Sequence, residues 1–115
     1  MTRWGMPTWV LTSGSADGSS LVLVDSNPLT LSASGDAALW STGCNNYEAD
    51  VSVDGNAVAF FTVAGTEEDC DDLVAELEDA FLGALERIDV LERNREQLLL
   101  SGESVELTFV PRPDA

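Results

Sequence analysis

Residues 41–55 read STGCNNYEADVSVDG, and the fold turns on that stretch. Val51 and Val53 alternate with Ser52, the period of a strand with one buried face. Asp54 and Gly55 follow, residues that suit the positive φ of a tight hairpin turn. The return strand is AVAFFTVA, residues 57–64. Its β-branched and aromatic content favours a strand, and its near-continuous apolarity predicts burial on both faces.

Upstream, Trp9, Val10 and Leu11 predict a short apolar strand, and the Gly/Ser-rich residues 12–20 a loop. Residues 21–24 (LVLV) and 29–33 (LTLSA) are short β-rich runs separated by a turn signal at Asn27 and Pro28. Downstream the period changes. Leu73, Leu77, Phe81, Ala84 and Ile88 recur at helical spacing, which predicts one helix from Asp69 to about Val90 with those side chains facing the sheet. Glu67, Glu68, Asp69, Asp71 and Asp72 fall where the helix dipole favours negative charge, and Arg87 falls near the other end. Gln97 to Ser101 and Val105 to Val110 read as two further strands, turned at Gly102 and ended by Pro111 and Pro113. Strands, one long helix and strands again make an α+β pattern, a mostly antiparallel sheet with the helix on one face. The 115 residues predict a single domain spanning 1–115.

Composition narrows the function classes. Five basic residues, all Arg, stand against 21 acidic ones, a formal net charge of −16. Such a surface repels phosphate backbones and anionic headgroups, which disfavours nucleic acid and membrane surfaces as partners and leaves cationic partners or plain solubility. No apolar run approaches the ~20 residues of a membrane span. The start, MTRWGMPTW, lacks the apolar core of a secretory signal, so either the protein is cytosolic or its leader is already removed.

The chain has no histidine, so Ser-His-Asp and Cys-His catalysis are both excluded, and two cysteines cannot supply a tetrahedral zinc site. No phosphate-binding or dinucleotide fingerprint occurs, and no metal or cofactor is expected. The run EEDCDD, residues 67–72, lacks the glycine and spaced oxygen ligands of a calcium loop and reads as acids complementing a helix start. The two cysteines, Cys44 and Cys70, admit two readings: a bridge tying the helix start to the sheet, or separate thiols with Cys70 activated by the helix N-terminus.

Taken in order, these residues resemble the META domain, also called HslJ-like, of bacterial envelope and heat-inducible proteins. Trp9 and Leu11 match its opening Trp-x-Leu strand, and LTLSASG at 29–35 its L-T-F-x-x-x-G segment. Gly43, Cys44, Asn45 and Tyr47, then Val53, Asp54 and Gly55, match its central Gly-Cys-Asn, aromatic and Val-Asp-Gly signature. Thr66 and Cys70 match T-x-x-x-C, and Glu78, Phe81, Leu82 and Leu85 match E-x-x-F-L-x-x-L. Leu98, Leu100, Leu107 and Phe109 match the closing strands. The chain departs from the pattern at Trp40, Ala49, Val51 and Glu67.

The resemblance implies a strongly curved sheet, a Gly-Cys-Asn corner where Cys44 can face Cys70, and no catalytic residues. It also implies an exported or lipid-anchored envelope domain, alone or fused to other envelope domains, linked to stress tolerance, antibiotic resistance or secretion without an established reaction. The function expected from this is a non-enzymatic, envelope-associated module that binds a protein or small apolar ligand. Any membrane association would run through an anchor outside this chain, and a monomer is expected. The alternative is a lipid-binding domain with an apolar pocket between sheet and helix, as in secretion pilot proteins, and a carboxylate hydrolase ranks last.

Overall fold

The computed structural model describes residues 8–23, 28–34, 36–42, 44–66 and 68–112. Gly35, Gly43, Glu67 and Pro113 of the sequence reading lie outside them, as do Val24 and Asn27.

In β5 (Asn46–Asp54), buried Ala49 and Val51 alternate with exposed Glu48, Asp50 and Ser52. β6 (Ala57–Gly65) returns antiparallel, and the pair Asp54↔Ala57 closes a loop of Gly55 and Asn56, with Gly55 at φ 62°. The turn therefore sits one residue later than the Asp54–Gly55 expected. The predicted burial of β6 on both faces is not found: Val58 is buried and Phe60 half-buried, but Phe61 and Val63 are each 48% exposed. Apolar content cannot distinguish an interior strand from one at a poorly paired seam, and β6 meets β7 (Ile88–Arg93) at the single registered pair Ala57↔Val90.

The strand β1 (Trp9–Ala16) runs through the stretch read as a loop. Its polar half is held by β9 (Val105–Pro111), Ser13 against Thr108 through Ala16 against Val105. Gly14 is small because a Cβ there would stand 2.9 Å from Leu107. Asp17 and Gly18, at φ 54° and 85°, then turn the chain into β2 (Ser19–Ser20), the two positive φ values of a type I′ hairpin. Leu21 to Leu23, read as a β-rich run, belong to no strand. β3 (Thr30–Ser34) is followed by β4 (Ala37–Ser41), a strand whose alternation of buried Ala38 and Trp40 with exposed Leu39 is too short to stand out in the sequence.

The helix α1 spans Asp72–Leu85, shorter than predicted at both ends. Val74, Leu77, Glu78, Phe81, Ala84 and Leu85 form its buried stripe, whereas Leu73, expected to face the core, is 56% exposed. Ile88 reaches the core from β7 instead. The Arg87 N–H turns back to the Ala84 carbonyl and ends the helix, after which the β-branched Ile88 and Val90 fit an extended strand.

β8 (Leu98–Gly102) and β9 complete the sheet. The turn between them is Glu103–Ser104, with Ser104 at φ 60°, and not Gly102. Gly102 serves packing, since a Cβ on it would overlap the Arg87 carbonyl.

The nine strands among the described residues form one antiparallel sheet in the order β2-β1-β3-β4-β5-β6-β7-β8-β9, and the further pairing β1–β9 curls it closed. The α+β architecture is thus a large curved sheet with one helix packed on it. The helix inserts Phe81 among the sheet's aromatic side chains: its ring meets Trp40 edge-on at 5.9 Å and Phe109 at 6.5 Å. Trp9, Leu31, Leu98, Leu100 and Leu107 fill the space around it, each at most 1% exposed.

Candidate functional site

The polar residues of the central signature converge where β4 passes into β5 and where the chain enters α1. Cys44 and Cys70 form a disulfide, with Cα atoms 6.0 Å apart, that ties the start of β5 to the start of the helix. A loop of that length gives on the order of 3–4 kcal/mol in the chain-entropy model.

Beneath the bridge lies Asn45, 3% exposed, with every polar group engaged. Its side-chain carbonyl accepts from the Thr66 hydroxyl and from the Glu68 N–H, each at 2.7 Å. Its side-chain amide donates to both carboxyl oxygens of Glu78 at 3.2 Å and lies 3.4 Å from the Glu68 carbonyl. Its backbone N–H donates to Thr42 Oγ1 at 3.0 Å, and its carbonyl accepts from the Thr42 N–H at 3.0 Å. The Thr42 hydroxyl in turn donates to Glu78 Oε2 at 2.8 Å. Thr66 and Asn46 exchange a second pair of bonds, Asn46 N–H to Thr66 Oγ1 at 3.1 Å and Thr66 N–H to the Asn46 carbonyl at 3.0 Å.

Glu78 is the unusual member, a carboxyl group on the inner stripe of the helix and only 8% exposed. A buried carboxyl is costly unless donors meet it, and here the Asn45 amide and the Thr42 hydroxyl do so. The arrangement latches helix to sheet: one covalent bond at the helix start, and one hydrogen-bonded carboxyl two turns further on.

The predicted site residues thus divide into two groups. Cys44, Asn45, Thr66, Cys70 and Glu78 build the corner. Trp9, Leu11 and Phe81 belong to the core, and Tyr47 stacks on Trp40 with ring centroids 5.7 Å apart. Gly43 lies outside the described residues. Thr42 was missed, although a threonine two residues before Cys44 that accepts backbone N–H groups is a local motif legible in sequence. Gly65 was missed as well; a Cβ there would meet the Tyr47 ring and the Asn46 carbonyl, a long-range contact with no local signal.

Chemically, the corner offers little to a substrate, because its sulfurs are joined to each other and its carboxyl faces internal donors. Among the described residues no group of three or more His, Cys, Asp or Glu side chains is placed to hold a metal ion. Among the same residues no helix is long and apolar enough to cross a membrane.

Open space lies elsewhere: among the described residues, two clefts flank the helix. One, of about 150 Å³, is lined by Phe60 and Val63 of β6 and by Leu82, Leu85 and Glu86. The other, of about 220 Å³, lies between Ala16, Leu21, Val22 and the helix residues Glu76, Leu77 and Ala80, with Ser19 and Ser20 at its side. Past the end of the helix, Arg87 grips Asp17 through two bonds of 2.9 and 3.1 Å. Those hydrogen bonds, reinforced by the guanidinium charge, hold the Asp17 carboxyl below its ordinary value, and the same hydrogen bond raises Arg87.

The family model of the META domain matches residues 5–114. The chain belongs to the META domain family. Among solved structures, this META domain is similar to a protein from Burkholderia xenovorans determined by NMR, with a TM-score of 0.78 and 28% identity over 93% of this chain and 82% of that one. It also resembles a DUF4847 family protein from Bacteroides vulgatus, with a TM-score of 0.69 and 12% identity over 94% of both chains. The latter likeness shows the fold alone. No curated protein matches the META domain chain.

Proposed function

We propose that this META domain is a non-enzymatic binding module of the cell envelope or exterior, a rigid scaffold whose partner is a protein or a small apolar ligand. The observation that carries the reading is the corner itself. Its distinctive polar groups are spent on one another, Asn45 and Glu78 above all, so they rigidify the fold instead of facing a substrate. The concave surfaces beside the helix are largely apolar, the character of binding clefts. The disulfide supports a site of action outside the cytoplasm, since cytosolic thiols are kept reduced. A role in stress tolerance accords with a domain latched covalently against unfolding.

A second reading, lipid carriage in a pocket between sheet and helix, draws on the same clefts. Their volumes of about 150 and 220 Å³ favour a ring-sized body over a whole acyl chain. Native mass spectrometry of freshly purified protein separates the two. Bare protein, or protein carrying a small adduct, is expected; a copurified phospholipid would favour the lipid reading and overturn the first.

A further inference from the structure

The cleft of about 150 Å³ lies between the end of the helix and β6, a strand that registers with β7 only at Ala57↔Val90. Its shape depends on an irregularity in β6. In a regular strand Phe60 and Val63, three positions apart, would point to opposite faces. The register moves from Asp50↔Phe61 to Glu48↔Ala64, so that Thr62 and Val63 together oppose Ala49, the two-against-one count of a β-bulge. Thr62 takes φ 58°, a conformation that β-branched side chains adopt only under constraint. The bulge brings Val63 to the same cleft as Phe60, opposite Leu82 and Leu85 of the helix. Bulges of this kind re-aim side chains and concentrate near functional sites.

The charge at the cleft is one-sided. Glu86 is its only charged lining residue among those described, and the adjacent Arg87 is occupied by Asp17. Around it lies a chain of net charge −16, whose field favours cations. A cavity of roughly 150 Å³ with apolar walls is large enough for one benzene ring.

We propose that the Phe60–Val63–Leu82–Leu85–Glu86 cleft binds a small hydrophobic cation, an aryl- or short alkylammonium whose apolar body fills the slot while its charge faces Glu86. This rests on the binding reading above and names the ligand class. The neighbouring cleft is the poorer candidate, because Ser19 and Ser20 form part of its wall.

The test is amide shift mapping by NMR at fixed ionic strength, with 2-phenylethylammonium, 3-phenylpropionate and toluene as probes and Glu86→Gln as the variant. Glu86 is exposed, so the substitution leaves folding intact. The ammonium should shift the amides of residues 60, 63, 82, 85 and 86 and bind about fivefold more tightly than the anion, the upper end for an exposed charge pair. Glu86→Gln should remove most of that preference while leaving toluene binding unchanged. Equal affinity for all three probes at this cleft would overturn the cation preference and leave the binding reading standing. Shifts centred on Leu21 and Leu77 would overturn the assignment of the site. No shift with any probe would overturn both the inference and the small-ligand form of the binding reading.

Discussion

The side-chain amide of Asn45 donates to both carboxyl oxygens of Glu78 at 3.2 Å, joining residues 33 positions apart in sequence. The contact places a polar acid on the inner face of the helix and makes the corner before β5 the point from which the helix is oriented.

Replacing Glu78 with Gln tests that contact. The amide keeps one acceptor but turns an NH₂ group toward donors already present on Asn45 or Thr42. A buried donor left unmatched costs about 1–3 kcal/mol, and the loss should appear as a lower denaturant midpoint with unchanged slope. An unchanged midpoint would show that the carboxyl contributes nothing to the latch.

Phe81 is fully buried and touches the rings of Trp40 and Phe109. Its replacement with Ala should cost roughly 3–5 kcal/mol, enough to unfold much of a small domain. Loss of near-ultraviolet circular dichroism at ambient temperature is the expected readout. A melting temperature equal to that of the parent protein would refute its place at the centre of the core.

Gly102→Ala should destabilise by about 1–3 kcal/mol or more, because the added methyl overlaps the backbone carbonyl of Arg87 and neither strand nor turn can yield cheaply. Gly55→Ala provides the contrast: it meets no neighbour within 4 Å, and its cost comes only from φ 62°. Equal melting temperatures for Gly102→Ala and the parent would show that β8 does not pack as described.

Asp17 has its folded-state value lowered by Arg87, so the pair stabilises the fold while the carboxyl is ionised. The contribution is present above the ordinary aspartate value of 3.8 and is lost as pH falls through the lower folded value. The melting temperature of the parent should therefore exceed that of Asp17→Asn near neutrality, and the two should converge below pH 3.8. A difference that persists undiminished into strong acid would assign the effect to turn geometry at φ 54° and not to charge.

Local patterns carried most of the fold. The alternation of Val51 and Val53 with Ser52, the helical spacing of Leu77, Phe81 and Ala84, and the ordered family signature all lead to the sheet, the helix and the corner, although Val53 itself lies 42% exposed near the end of β5. Misreadings arose where tertiary partners override local character. Ser13 to Ala16 look like a loop, yet they form a strand because β9 pairs with them along their length. Ile88 keeps the helical spacing but joins β7, since the helix has already closed at Ala84 and Arg87. Phe61 and Val63 look like core and are each 48% exposed, because Phe61 falls on the face opposite Phe60 and the bulge turns Val63 into an open cleft beside the helix. At the site, Cys44 and Cys70 were visible as a candidate pair and Thr42 was legible as a local motif, whereas Gly65 and the bulge at Thr62 depend on contacts and backbone angles that no single stretch encodes.

Everything said of the corner depends on Cys44 and Cys70 being joined, which places the helix start against the strand start. The most direct measurement is intact mass after alkylation under denaturing conditions, on protein prepared without reductant. The bridged chain should take up no alkyl group until it is reduced, and then one on each of its two cysteines. Alkylation of both cysteines before any reductant is added would contradict the bridge, and with it the argument for a domain that works outside the cytoplasm.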